Sequence, residues 1–423
     1  MMTSPIRIAV IGGGLAGAIV ANALRKIPHV DVQVYESAPE FSERGLGIGL
    51  SKLALQALEE IIPSGANLLR TDAGAVDIGA SRIAIGSGPK AGELVCDIPG
   101  DEGLAMTRGP LLKALLSRVP SGILHAAKKL ASIEQTGSGV NIAFEDGTAA
   151  TFDAVVGADG IFSTVRKHVL LRDDDVSAEE QHGASPVGGW ECRNLVPVAK
   201  AKAVLGEASF EVDREYCWAG EGGFMMHALV EDGTMVQCIV ACVETDFPPD
   251  RKRIVTREVL EEVLAPSWFD GPIGKQMVEI MLDQENPIGY SIWEHKTTPT
   301  YSHGRVCLIG DAAHTTSPYQ GAGGGLAIED AFVLGNLLSS ISSAGELEAA
   351  FKAFDAVRRP RCQAVIDTSR ASGQLLSGQN PEVGVDADKM AKEMDVLFGH
   401  IDALDLQAHK QAALDELRKL LAH

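Results

Sequence analysis

Ile6-Arg7-Ile8-Ala9-Val10-Ile11-Gly12-Gly13-Gly14-Leu15-Ala16-Gly17-Ala18-Ile19-Val20-Ala21-Asn22-Ala23-Leu24 decides the fold of this chain. An apolar, β-branched run passes into a glycine cluster and then into small and apolar residues at helical spacing, so it reads as strand, turn and helix. The glycines form G-x-G-x-x-G. Gly12 makes the tight turn, Gly14 lets backbone approach a pyrophosphate, and Gly17 lets helix and strand pack closely, which leaves phosphates at the positive helix end. The stretch is too short and too glycine-rich to be a membrane span or a signal peptide. Glu36 follows Gly17 by 19 residues, at the end of the next strand, Val30 to Tyr35. An acid there accepts from an adenosine ribose and disfavours a 2′-phosphate, so the unit predicts dinucleotide binding.

Working outward, two further strand-end turns carry acids. Asp153-Ala154-Val155-Val156-Gly157-Ala158-Asp159-Gly160 is a buried strand running into an Asp-Gly turn, which on its own is also an ordinary place for Asp. Arg305-Val306-Cys307-Leu308-Ile309-Gly310-Asp311-Ala312-Ala313-His314 delivers a carboxylate at a strand end. Ser317-Pro318-Tyr319-Gln320-Gly321-Ala322-Gly323-Gly324-Gly325 then leads into a second helix start, whose N–H groups suit another anionic centre.

The whole chain agrees with an α/β reading. Its 423 residues suffice for two or three domains, and 37 Lys and Arg against 57 Asp and Glu give a net charge of −20. Such a surface repels phosphate backbones and anionic membranes, so neither nucleic acid nor a membrane is an expected partner. The seven cysteines are scattered without a C-x-x-C, which predicts neither a disulfide framework nor a metal site and suits a reducing, cytoplasmic location. No G-x-S-x-G elbow points to a hydrolase. Alternating runs at Ala208 to Val212, Phe224 to Leu229 and Met235 to Val240 predict antiparallel sheet between about residues 176 and 294, and turn signals at Gly86 to Gly92 predict a smaller β excursion. The tail from Asp386 to His423 reads as an amphipathic helix packed on the body or on a second subunit.

With three glycine-and-acid turns in this order, the sequence resembles the single-component flavoprotein monooxygenases that hydroxylate aromatic rings, close to the salicylate-hydroxylase-like branch, over roughly residues 6 to 375. The resemblance implies a discontinuous Rossmann-type FAD-binding domain (1–80, 100–175 and 295–375), an inserted antiparallel β-sheet substrate domain (81–99 and 176–294) and a C-terminal helical segment (376–423). It implies FAD as cofactor, held by Gly12, Gly14, Leu15, Ala16, Gly17 and Glu36 at the ADP half. Arg44, Arg108 and Leu130, Asp159 and Gly160, Gly310 and Asp311 would hold the rest, with Pro318, Gly321, Gly323, Gly324, Gly47 and Ile48 beside the ring. Ser51-Lys52 and Gly109-Pro110 depart from the family's usual loop residues. NADH or NADPH would be a transient reductant with no Rossmann module of its own, and a homodimer is a family-level expectation.

The reaction so implied is hydroxylation of a phenolic or carboxylated aromatic by a flavin C4a-hydroperoxide, with CO₂ loss if the chain behaves as salicylate hydroxylases do. The other readings are an epoxidase or dearomatising oxygenase of secondary metabolism, and an FAD-binding redox sensor without turnover. Ionising a phenol raises ring electron density, so a base or cation near the substrate oxygen is expected. His227 is the candidate base or else a hydrogen-bonded sheet histidine, Arg193 the candidate anion clamp or else half of an ion pair, and Tyr216 and Tyr319 are weaker candidates. His314 reads as a structural part of the Asp311 turn.

Overall fold

The computed structural model describes residues 4–42, 47–100, 102–170, 182–210, 214–231 and 233–422. The opening strand β1 (Ile6–Ile11), helix α1 (Leu15–Leu24) and strand β2 (Val30–Tyr35) form a βαβ unit, with β1 parallel to β2 from Ile6 beside Val30 to Ile11 beside Tyr35. β1 is buried at every position but Arg7, as expected of a strand covered on both faces. A short strand β3 (Gly47–Leu50), a hairpin of β4 (Ala80–Ile85) and β5 (Leu94–Ile98), and helix α2 (Arg108–Leu116) follow. Strand β6 (Ala154–Gly157) returns beside β1, parallel to it, and leads into helix α3 (Thr164–Leu170).

Five strands then build most of a second sheet: β7 (Ser185–Pro197), β8 (Arg214–Gly220), β9 (Gly223–Val230), β10 (Met235–Val243) and β11 (Ile288–Glu294). Its order is Lys252–Ile254, β11, β7, β10, β9, β8, β4, β5, antiparallel throughout except where β8 runs parallel to β4. The early hairpin predicted from its turn residues therefore joins the late strands in one sheet. Strand β12 (Val306–Leu308) goes back to the first sheet beside β6, giving the order Ser302–His303, β12, β6, β1, β2, Leu124–His125. The chain closes with helices α4 (Gly323–Ser339), α5 (Leu347–Leu376), α6 (Ala387–Asp402) and α7 (Leu406–Leu421). The α/β class, with parallel and antiparallel sheets and a helical C-terminal region, is thus as expected.

Two details differ from the sequence reading. Ala208 to Phe210 belong to a 3₁₀ turn, Glu207–Phe210, and not to a strand, while 211–213 lie outside the described residues. Gly206, at φ +88°, ends the preceding helix, and Ser209 turns its N–H to the Gly206 carbonyl and its hydroxyl to that of Leu205, so local bonds replace a sheet ladder. The tail is two helices and not one. Asp405 accepts from the N–H groups of Gln407 and Ala408 and starts α7 afresh, and α7 buries Leu406, Ala413 and Leu417 in the same core as β1.

A buried charge network joins that helical region to the second acid turn. Asp330 accepts from the Gly310 N–H at 2.9 Å and from His314 Nε2 at 2.5 Å, while its other oxygen takes Arg358 Nε at 2.8 Å. Arg358 also reaches Glu329 at 2.7 Å, and Arg361 links Glu329 to the Ile401 carbonyl. Burial alone would raise the Asp330 carboxyl, but His314 and Arg358 hold it down to about 2. The same carboxylate keeps the His314 imidazole protonated well above its ordinary range, against the cost of burying that charge. Arg358→Met would leave two buried carboxylates short of a cation, and the expected loss is about 3–5 kcal/mol, read from denaturant unfolding; an unchanged midpoint would show the network to be dispensable.

Candidate functional site

One cavity of about 1860 Å³ runs between the two sheets. Small-molecule sites occupy roughly 300–1,000 Å³, so this volume suits a dinucleotide together with a second molecule. At one end Gly12, Gly14, Leu15 and Ala16 line it. Gly12 stands at φ +109°, and a methyl group on it would lie 2.2 Å from the Ala158 carbonyl oxygen. A methyl group on Gly17 would lie 1.9 Å from the Gly12 carbonyl, so Gly17 sets the packing of helix on strand and does not itself line the space. α1 begins at Gly14 with no side-chain cap and no acid in its first turn, leaving its positive end for a ligand.

Glu36 lines the same end. Its two oxygens accept from the Gly13 and Ala38 N–H groups, at 2.7 Å each, which fixes the carboxylate beside the helix start. Leu130, Arg108, Gly47 and Ile48 continue the wall. Asp159 also lines the cavity, but its oxygens cap α3: they accept from Thr164 N, Val165 N and the Ser163 hydroxyl. That is the ordinary strand-end use of an Asp, with Gly160 beside it at φ +77° open to the cavity. Asp311, by contrast, projects into the space, while Gly310, whose methyl would meet Ala16 at 2.7 Å, only shapes the turn. Pro318, Gly321, Gly323 and Gly324 complete this wall, and α4 starts there, again with no side-chain cap. Two uncapped helix ends on one elongated cavity are the donor set that a molecule with two separated electron-rich centres needs, and FAD is such a molecule. Arg44 lies outside the described residues.

The opposite wall is one face of the large sheet. Cross-strand registers arrange it in rows: Ser81, Glu215, Ala228, Gln237; then Ile83, Cys217, Met226, Ile239, Arg193; then Ile85, Ala219, Phe224, Ala241, Glu191. Arg193 is held by Glu191 at 2.6 Å, which is the ion-pair reading, and both are half-buried and line the cavity. Tyr216 and His227 have the opposite phase. Neither lines the cavity; they stack on each other at 4.9 Å on the outer face, where His227 Nε2 lies 3.1 Å from the Ser209 carbonyl. Burial lowers the His227 pKa to about 4, so it is a weak proton acceptor near neutral pH. The expected base is a sheet histidine, because strand alternation turns it away. Tyr319 does line the cavity, edge-on to Phe224, with burial pushing its hydroxyl well above the usual range.

The sequence reading missed Glu215, Gln237 and the contribution of α6, which brings Met394, Phe398 and Ile401 to the cavity. The strand phase of Glu215 against Tyr216 was the available signal. It is obscured because β8 is covered on both faces.

These features define an FAD site in a cavity whose opposite wall is a largely apolar sheet face, and comparison with known proteins agrees. The FAD binding domain family matches residues 6–369. Among relatives, a 6-methylsalicylate 1-monooxygenase of Aspergillus terreus is 32% identical, with 97% of this chain and 92% of that protein covered. A salicylate hydroxylase of Pseudomonas putida is 30% identical over 93% of this chain and 92% of its own. A solved salicylate hydroxylase substrate complex superposes with a TM-score of 0.82 at 26% identity, covering 97% of this chain and 98% of that one. The chain belongs to the FAD binding domain family of flavoprotein monooxygenases, and its cofactor is FAD. Among the described residues no helix is long and apolar enough to cross a membrane.

His227 supplies a sign-determined test. Its folded pKa near 4 lies below the ordinary ~6.5, so unfolding takes up a proton between those values, and its stabilising effect is full above pH 6.5 and lost as pH falls towards 4. The stability gap between wild type and His227→Gln should therefore narrow over that window in denaturant titrations; a gap that widens in acid would contradict the outward, neutral placement.

Proposed function

We propose that the chain hydroxylates a small phenolic or carboxylated aromatic of salicylate type, with NADH or NADPH as reductant. The observation that carries this reading is the paired Arg193 on an otherwise largely apolar sheet face, opposite the two uncapped helix ends. In it, residues 1–80, 100–175 and 295–375 serve the cofactor, 81–99 and 176–294 the substrate, and 376–423 closes the chamber.

Bound FAD supplies reducing equivalents and oxygen activation. The protein's share is electrostatic and steric. The α1 N–H groups would hold the pyrophosphate, Glu36 would accept from the ribose hydroxyls, and Asp311 would accept from hydroxyls further along the cofactor. The start of α4, at Gly323 and Gly324, would favour negative charge on the part of the cofactor held there. Ile83, Met226, Ile239 and Phe224 keep water from the chamber. Arg193 draws a substrate carboxylate and, through the Glu191 contact, is held at a set angle while doing so. If the carboxyl-bearing carbon is the one attacked, CO₂ leaves in the same step, which product mass would reveal.

Salicylate and related hydroxybenzoates should accelerate anaerobic flavin reduction by NADH or NADPH at least about tenfold. A flat response across hydroxybenzoates, aminobenzoates and resorcinols would remove the assignment. Arg193→Leu should raise KM for a carboxylated aromatic by about 10- to 100-fold, the worth of a charged hydrogen bond, with a smaller effect on an uncharged phenol. Asp311→Ala should purify folded but depleted in flavin, as measured by the ratio of visible to ultraviolet absorbance; full flavin content and turnover would refute its placement.

A further inference from the structure

Among the described residues, Glu215 is the one acid on the sheet wall that has no cation to answer it. Glu191 has Arg193, but Glu215 makes only a 3.5 Å contact with the Ser81 hydroxyl, and among the described residues no Lys, Arg or His pairs with it. It lies on β8 between β4 and β9, with its side chain on the cavity face. A half-buried carboxylate without a partner costs stability, and chains keep such groups where a ligand completes them.

Its surroundings say what that ligand offers. In the same cross-strand row Ala228 comes next and Gln237 after it. At about 4.8 Å per strand, Glu215 and Gln237 stand roughly 10 Å apart with only a methyl group between them, which leaves room for a flat ring. The Gln237 side-chain carbonyl accepts from the Gly47 N–H at 2.8 Å, so this row abuts the β3 wall beside the start of α4. Arg193 lies three strands from Glu215 and one row along, roughly 16 Å away by backbone spacing. The two charges thus meet different substituents of a bound molecule.

Resting on the salicylate-type reading above, we infer that Glu215 accepts a hydrogen bond from a ring hydroxyl of the substrate and so selects hydroxylated rings and sets which way they face. A carboxylate cannot take that position, because two like charges would be brought together, so the substrate's acidic group is directed to the Arg193 side. The role is positional and needs no covalent step.

The other groups facing Glu215 do not mask its titration. Cys217, next along the face, is kept a neutral thiol by burial; Arg70 and Asp77 across the cavity pair with each other; and Arg82, Asp97, Tyr216 and His227 point to the outer face. Burial raises the Glu215 carboxyl to about 6, so it is charged above that pH and protonated below it.

The test uses FAD-loaded protein and reads ligand dissociation constants from flavin absorbance changes between pH 5 and 8.5. The probes are salicylate, 3-hydroxybenzoate, 4-hydroxybenzoate and benzoate, whose carboxyl groups stay ionised throughout. At pH 8 the best hydroxybenzoate should bind wild type at least about tenfold more tightly than benzoate, the worth of one hydrogen bond to a charged acceptor. That advantage should shrink as pH falls through about 6. Glu215→Gln should hold a smaller, pH-independent advantage, and Glu215→Leu none. A wild-type advantage constant from pH 5 to 8.5 overturns the inference even if neither variant folds, as does wild-type discrimination retained in both variants. If hydroxybenzoates and benzoate bind alike with Arg193-dependent affinity, only the Glu215 role fails; if none of them perturbs the flavin, the salicylate-type reading fails and this inference with it.

Discussion

The structure depends on how closely two parallel strands end. At their C-terminal ends β1 and β6 approach until a methyl group on Gly12 would sit 2.2 Å from the Ala158 carbonyl, and α1 then leans on the same turn through Gly17. No side chain fits either place. The consequence is directional: α1 leaves β1 with its uncapped end facing the cavity, and Glu36, at the end of β2, is brought to the Gly13 N–H. The second uncapped helix is aimed differently. Asp330, about two turns into α4, accepts from the Gly310 N–H and from His314, which ties the Asp311 turn to α4. Backbone contact without side chains sets one electropositive end, and a buried ion network sets the other.

These two devices tolerate change differently. Steric closeness admits only glycine, whereas the ion network admits alternatives provided that charge and hydrogen bonds stay balanced. Arg358 answers two acids at once and stands against His409 and Cys362 as well, so it ties α4 and α5 to the last helix of the chain.

Much of the cofactor end was legible in the sequence because its constraints are local. Gly12 and Gly17 are required by contacts within a few residues of themselves or at the neighbouring strand end, and Glu36 follows from one strand and one helix of fixed length. Asp159 was legible as a turn residue, yet whether it served the ligand or α3 depended on the residues after it, Ser163 to Val165, whose N–H groups and hydroxyl take its oxygens. The sheet wall was less legible. A strand buried on both faces has no polar side to announce its phase, and His227 and Tyr216 were attractive by chemical type while Glu215, one residue from Tyr216, carried the position. Gln237 reaches the cavity rim only because Gly47, far off in sequence, folds over it. The split of the tail at Asp405 was a capping signal hidden inside a continuous amphipathic pattern.

The family match ends at residue 369, and yet Met394, Phe398 and Ile401 of α6 stand in the wall of the cavity. The chamber is therefore assembled from two parts: the strands and glycine turns at the nucleotide end, and a late helix that meets whatever lies beside Leu376 and Tyr319. Changing side chains on that helix reshapes the far boundary of the chamber and leaves the glycine turns untouched. Divergence in what such a protein accepts has, in this architecture, a place to happen without endangering its grip on the flavin.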